Sequence, residues 1–431
     1  MKSKTEQDYQ FFDQELNDLI VKEKCRQRNT IQLNAAENIS SKNVLFPLTS
    51  NFSSKTAEGM PGKRYHLGCD VVDQMEVLGE QRLCNLFNSE QVWLQPLSGS
   101  MANLIVIQSI LEDFLSKPLE ARIFAMKLDQ GGHLSHSSRY NITGKIFKNS
   151  KFYSVNEETY LLDYDRIHKE AMEYKPHLII CGASSYPREI DFKRFGEIAK
   201  DCGAILLSDI SHIFGLVATG VHQNPFEHSS FVTSSTYKAG GPHGGIIISG
   251  KKSTELQRSK INRYVFPVVQ STPDFGSIAS KTTFFKEIAS DEYCETQKNI
   301  VANARALSAC LQKMGYNILT GGTDNHMVLI DIKSTHNITG KTASEKLAQC
   351  GIYSNRNLIP FDTENANTCS GIRLGTNTIS RIGMKESEME PLANFIDSIL
   401  KNELNDDTTT EMLGKVKTFV NKFTLGNEKY F

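Results

Sequence analysis

The chain contains no run of about 18 apolar residues, so no segment of it is built to cross a membrane as a helix. Its first residues, Met1-Lys2-Ser3-Lys4-Thr5-Glu6-Gln7-Asp8, lack the apolar core of a secretory leader. The nine cysteines are odd in number and form no CxxC pair, which argues against a disulfide framework and for reduced thiols. The expected location is therefore the cytoplasm, where the sequon Asn141-Ile142-Thr143 carries no meaning. A formal net charge of −1 lacks the basic excess that polyanion binding needs, so no nucleic-acid partner is expected. Repeats and low-complexity tracts are missing too. No GxGxxG follows a strand-like run, so a nicotinamide dehydrogenase is unsupported. Gly340-Lys341-Thr342 ends like a phosphate loop, but Thr335 stands where the leading glycine belongs. His133-Leu134-Ser135-His136 has neither metal-ligand spacing nor a partner carboxylate, so no metal is expected.

What is present is enough apolar material for a large core: 431 residues, 39% of them hydrophobic. Residues Asp8 to about Cys25 read as an amphipathic helical arm. Strand-like runs at Arg122–Met126, His177–Cys181, Ala204–Ser208, Phe231–Ser234 and Gly245–Ser249 alternate with helical ones, which predicts a mostly parallel sheet covered on both faces. Thr283 to Met314 reads as one long helix leading to a smaller unit. That unit has strands at His326–Ile332 and near Ile372, closed by helices from Glu386 to Phe423. The expected division is an arm (1–50), a large domain (51–300) and a small C-terminal domain (301–431).

Three windows carry chemistry. Lys238 sits among hydroxyls and glycines in Thr233-Ser234-Ser235-Thr236-Tyr237-Lys238-Ala239-Gly240-Gly241, a setting that suits a lysine bonded covalently to an aldehyde cofactor. Read alone, such a lysine is more often a solvated loop residue. Gly203 to Ser208 reads as a buried strand that runs into Asp209, with His212 three residues on. In an open parallel sheet ligands collect at the carboxyl ends of strands, and an anion there can face the ring nitrogen of pyridoxal phosphate. Asp209 could equally cap the next helix, and the two roles can coexist. Val92 to Pro96 reads as a strand, followed by Ser98-Gly99-Ser100 opening a helix through Leu111. Hydroxyls and free backbone N–H groups at a helix start suit a phosphate. Together the three describe a pyridoxal-phosphate site on an aminotransferase-like α/β fold.

The chain resembles the serine hydroxymethyltransferase family from about Leu33 to about Met384. The matching stretches include Ala36-Glu37-Asn38, Ala57-Glu58-Gly59, Pro61-Gly62-Lys63-Arg64-Tyr65, Gln95 to Asn103 and Gly131-Gly132-His133-Leu134. Further on come Asp209-Ile210-Ser211-His212, Gly321 to His326 and Ser370 to Thr376. The resemblance implies fold type I, with a mostly parallel seven-stranded sheet and a smaller C-terminal α/β domain. It implies that Lys238 carries pyridoxal 5'-phosphate, Asp209 pairs its ring nitrogen and His133 stacks on the ring. Ser98, Gly99 and Ser100 would hold the phosphate, with Ser184 and His212 near the ring oxygen. Arg373 would grip the substrate carboxylate, Glu58 would handle a proton on the β-hydroxyl or the incoming carbon unit, and Tyr65 would lie beside it. Leu128, Gly132, His133 and Leu134 would line a folate pocket. Because the Glu58–Tyr65 segment reaches the neighbouring subunit's cofactor in this family, a homodimer is implied, with a tetramer left open.

Departures concentrate where substrate and folate bind. Ala36 stands for a serine, Thr56 and His66 for tyrosines, Tyr237 for the histidine before the lysine and His243 for an arginine. The loop after Lys238 is one residue short, Ser271-Thr272 replaces a glycine pair, and Asn365-Ala366-Asn367 replaces Ser-Pro-Phe. Use of tetrahydrofolate is therefore left open. The first expectation is an enzyme that makes or breaks the Cα–Cβ bond of a β-hydroxy amino acid, of glycine/serine hydroxymethyltransferase type. The alternative is a folate-independent threonine-type aldolase or transaldolase, which the altered loop favours because it offers no aromatic wall for a pterin. A non-catalytic pyridoxal-phosphate protein is a distant third, opposed by intact Lys238, Asp209, Arg373 and Glu58.

Overall fold

The computed structural model describes residues 13–431. Its larger sheet has seven strands: β1 (Val92–Trp93), β2 (Ile123–Met126), β3 (Ser150–Tyr153), β4 (Leu178–Cys181), β5 (Ile205–Asp209), β6 (Phe231–Ser235) and β7 (Gly245–Ser249). They lie side by side in the order β1-β7-β6-β5-β4-β2-β3. Strands β2 to β6 pair in parallel, and only β7 runs against its neighbours β1 and β6. The period of two along each strand feeds two cores at once. Ile179 and Cys181 of β4 enter the cluster that holds Phe124, Phe192 and Phe214, whereas Leu178 and Ile180 face the cluster around Trp93, Ile105 and Leu207. Every residue of β4 is buried for that reason.

A second, antiparallel sheet is built from β8 (Asn317–Ile318), β9 (Met327–Asp331), β10 (Asn355–Asn357) and β11 (Gly371–Gly375), in the order β8-β9-β11-β10. Helix Met389–Lys401 closes it with Leu392, Ile396 and Ile399, and helix Asp406–Thr424 adds Val416 and Val420 to the same apolar cluster. The architecture is the α/β fold with a seven-stranded, mostly parallel sheet that the resemblance implied.

Two expectations need correction, and one edge strand was not expected. The single helix from Thr283 to Met314 is two helices, Phe275–Ile288 and Asp291–Lys313. The break falls at Ser290, whose hydroxyl leaves the helical pattern to cap the second helix by accepting the Tyr293 N–H at 3.3 Å. The strand expected over Val92 to Pro96 stops at Trp93, because its single neighbour β7 pairs only with Val92 and Trp93. Strand β3 was missed, since at the sheet edge Ser150-Lys151-Phe152-Tyr153 is half-solvated and lacks an apolar run. The N-terminal helix spans Gln14–Arg28, capped by Asp13, with the expected start at Asp8 lying outside the described residues.

Candidate functional site

Five loops converge at the carboxyl ends of the parallel strands and enclose a cavity of about 100 Å³. Its walls are Ser98, Gly99, Ser100, His133, His136, Ala183, Ser184, Asp209, Ser211, His212, Ser235, Tyr237 and Lys238. Residues separated by up to 140 positions in sequence thus meet through the crossover order of the sheet. Of the residues singled out from sequence, Ser98, Gly99, Ser100, His133, Ser184, Asp209, His212 and Lys238 all line it.

Asp209 ends β5 with its carboxylate buried and fully engaged. Oδ2 accepts from Asn103 Nδ2 at 2.8 Å and contacts His136 Nε2 at 2.8 Å, while Oδ1 accepts the Ser211 N–H at 2.9 Å. Burial alone would favour the neutral acid. The hydrogen bond and field of His136, with the field of His133 and the Ser211 side chain, outweigh it and hold Asp209 well below the usual carboxylate range. This geometry overturns the statement that the His133–His136 stretch lacks a carboxylate: the partner is Asp209, 73 positions away. One nitrogen or oxygen atom from each of His133, His136 and Asp209 lies within 4.8 Å of the others. The contacts made there are hydrogen bonds that fix an anion.

Asn103 is the support that sequence reasoning missed. It donates to both Asp209 and Ser135, and its Oδ1 accepts from Thr233 Oγ1 at 2.5 Å. A signal existed: it is a lone amide in the buried run Ala102 to Ile107, where an unpaired polar group would be costly. His133 is held by Ser135, whose N–H donates to Nδ1 at 3.2 Å. That bond leaves the proton of the neutral ring on Nε2. Burial pushes the His133 pKa down to about 4, with the field of His136 adding to it, so the ring is uncharged at neutral pH.

Lys238 lies in a single tight turn, Tyr237–Ala239, that Gly240 closes in the left-handed conformation at φ 93°. The side chain is buried, and burial lowers its pKa to about 8 against the opposing pull of Asp209. An amine poised there spends a useful fraction of its time unprotonated. Asn38 Nδ2 donates to its main-chain carbonyl at 3.1 Å, and Tyr293 Oη donates to the next carbonyl, of Ala239, at 2.7 Å. Tyr237 stacks on His243 with ring centroids 4.4 Å apart, which brings two of the departures from the family into contact.

At the opposite wall Ser98 accepts the Met101 N–H at 3.1 Å and so caps the 12-residue helix Gly99–Ile110. A Cβ on Gly99 would lie 3.1 Å from Ser235 N, so the turn packs directly on the end of β6. Among the described residues, nothing hydrogen-bonds the hydroxyl of Ser235 or Nδ1 of His212, both on the cavity wall. These free groups, the helix start and the lone amine fit a phosphorylated aldehyde cofactor.

Arg373 does not line the cavity. It rises from β11, is buried, and donates through Nη1 to the Ser184 carbonyl and through Nη2 to Asn355 Oδ1 at 3.1 Å. Among the described residues no carboxylate pairs with it, Nε has no partner, and burial lowers its pKa to about 10. Such a guanidinium is short of an anion. The other predicted residues lie outside the cavity. Glu58 is half-buried, Tyr65 is 77% exposed, and Leu128 and Leu134 are exposed on the surface. Gly132 is locked into place, since a Cβ there would meet Met126 O at 2.3 Å.

Comparison with known proteins agrees with this geometry. A family model described as serine hydroxymethyltransferase matches residues 9–396. The chain is 45% identical over 412 residues to a serine hydroxymethyltransferase of Methanosarcina barkeri, covering 95% of this chain and 97% of that one. It is 44% identical over 416 residues to the protein of the same name in Rickettsia typhi, covering 95% and 96%. With Lys238, Asp209 and the Ser98-Gly99-Ser100 turn gathered in one cavity of a fold type I sheet, the chain belongs to the serine hydroxymethyltransferase family of pyridoxal-phosphate-dependent transferases.

Proposed function

We propose that this protein interconverts serine and glycine, passing the hydroxymethyl carbon to and from tetrahydrofolate, with Lys238 carrying pyridoxal phosphate. The observation that carries the reading is the pairing of a buried amine of lowered pKa with a buried, triply held carboxylate across one small cavity. The cofactor, when bound, supplies an electron sink for the charge left on Cα. The protein's own groups do the rest. Asp209 is held anionic and would pair the ring nitrogen, and neutral His133 would cover the ring face. The Ser98-Gly99-Ser100 turn and Ser235, which line the cavity, would hold the phosphate, and Ser184 and His212 would serve the ring oxygen. Arg373 receives the substrate carboxylate as the anion it otherwise lacks. Glu58 moves the proton of the β-hydroxyl or of the incoming carbon unit, and Leu128, Gly132, His133 and Leu134 line the folate side.

We further propose a homodimer in which Glu58 and Tyr65 complete the partner's site. Supporting this, Tyr65 and Leu67 stand 77% and 96% exposed, and Val71 and Val268 are also exposed, a costly display for a monomer. In this reading the chain divides into an arm (1–50, of which 1–12 lie outside the described residues), the cofactor domain (51–300) and a small domain (301–431), and the protein works in the cytoplasm. No helix among the described residues is long and apolar enough to cross a membrane.

The test is turnover of serine by cofactor-loaded protein with and without tetrahydrofolate. We expect glycine formation to depend strongly on tetrahydrofolate. Folate-free cleavage of β-methyl or β-aryl β-hydroxy amino acids, with serine turnover indifferent to folate, would replace this reading with the aldolase one.

A further inference from the structure

Helix Phe275–Ile288 carries a buried cation that the chemistry above leaves unused. Lys281 is 1% exposed, and its Nζ donates to three main-chain carbonyls: Leu94 at 2.7 Å, Gly245 at 3.0 Å and Pro96 at 3.2 Å. A neutral amine has two N–H groups and an ammonium has three, so three acceptors match the charged form. Burial nevertheless pulls its pKa down to about 7, opposed by the more distant Asp274 and Glu76. Among the described residues no carboxylate pairs with it. A cation kept in such a place must be worth its desolvation.

The three carbonyls belong to two segments that meet at the cofactor cavity. Leu94 and Pro96 lead from β1 into the Ser98-Gly99-Ser100 turn, and Gly245 begins β7 as the chain leaves the Lys238 loop. The segments touch: Gly245 N donates to Pro96 O at 2.9 Å, and a Cβ on Gly245 would lie 2.1 Å from Ser98 O. Two turns of one helix face grip this seam, because Ser277, four residues before Lys281, donates its hydroxyl to His243 O at 2.7 Å. Gly244 leaves room for the lysine stem, since a Cβ there would lie 2.2 Å from Lys281 Cε.

We propose that Lys281 is a positioning residue that pins the phosphate turn to the Lys238 loop, fixing the span between the phosphate donors and the amine that bonds the cofactor. The proposal rests on the assignment of Ser98 to Ser100 as the phosphate end of the site. It makes the effect of losing Lys281 specific to ligands that use both ends at once.

The experiment compares binding of pyridoxal phosphate and of pyridoxal, which lacks the phosphate, to full-length protein freed of cofactor. Both ligands bond to Lys238, and one alone uses the turn. In Lys281→Met, affinity for pyridoxal phosphate should fall about tenfold or more while affinity for pyridoxal changes less than about threefold, as expected for loss of charge-assisted bonds on one side of the site. Equal losses for both ligands, or none, would overturn the proposal. If the methionine variant does not fold, Lys281→Gln, which keeps an N–H donor, carries the same comparison under the same criterion. Unaltered protein that fails to prefer pyridoxal phosphate would instead sink the phosphate assignment itself, a result distinct from a preference that the variant retains.

Discussion

Lys238 gains its chemistry from burial more than from any charged neighbour. Desolvation is the largest influence on its pKa, lowering it to about 8, and Asp209 limits the fall. The sign follows directly. Below that value the amine is protonated and cannot attack an aldehyde, and above it the free amine predominates. Capture of pyridoxal phosphate by cofactor-free protein should therefore accelerate about tenfold from pH 6 to pH 7 and level off above about pH 8. Stopped-flow absorbance would show this, and a rate independent of pH across that range would contradict the assignment. His133, with a pKa near 4, adds no titration there. Lys238 and Asp209 were legible in the sequence because each stands out against its own window. Asn103 and His136 were not, because what makes them matter is an oxygen of Asp209 more than 70 positions away.

Among the elements, the close contact between the ends of β4 and β5 decides where Asp209 points. Gly182, just past β4, has φ 124°, and a Cβ there would lie 2.1 Å from the Asp209 carbonyl oxygen. Nothing larger fits without moving the backbone that carries the carboxylate. Gly182→Ala should cost roughly 2 to 3 kcal/mol of stability through strain and overpacking. Because the strand end must shift, affinity for pyridoxal phosphate should fall as well, by about tenfold. Thermal unfolding and cofactor titration together check this. Unchanged melting with unchanged affinity would show that the contact relaxes freely. The alternation of strand and helix was readable from periodicity, whereas the edge strand β3 and the break at Ser290 were not. An edge strand lacks the apolar run that marks a buried one, and Ser290 acts as a cap only once its hydroxyl meets the Tyr293 amide.

For the whole molecule, the question is how many chains make one site. Glu58 and Tyr65 lie outside the cavity that holds Lys238, and in the proposed dimer a second copy supplies them. Lys238→Ala and Glu58→Ala subunits should each be inactive alone. After unfolding and refolding together in equal amounts, about a quarter of the normal site activity should return, because half the dimers are hybrid and each hybrid holds one complete site. No recovery in a mixture shown to contain hybrid dimers would place Glu58 in the same subunit's site or outside the chemistry.

From the sequence alone came the α/β class, the three windows around Ser98, Asp209 and Lys238, and the family to which they belong. Each depends on local signals: period two in a strand, hydroxyls at a helix start, a lysine among glycines. Tertiary structure alone decided that His136 and Asn103 hold Asp209, that Arg373 reaches Ser184 from the second sheet, and that Lys281 ties two loops under the cavity. Those contacts join residues from 73 to 189 positions apart. Such pairs are brought together by the crossover order of the sheet and by the reach of side chains such as Arg373 from the second sheet, neither of which leaves a periodic trace in the chain.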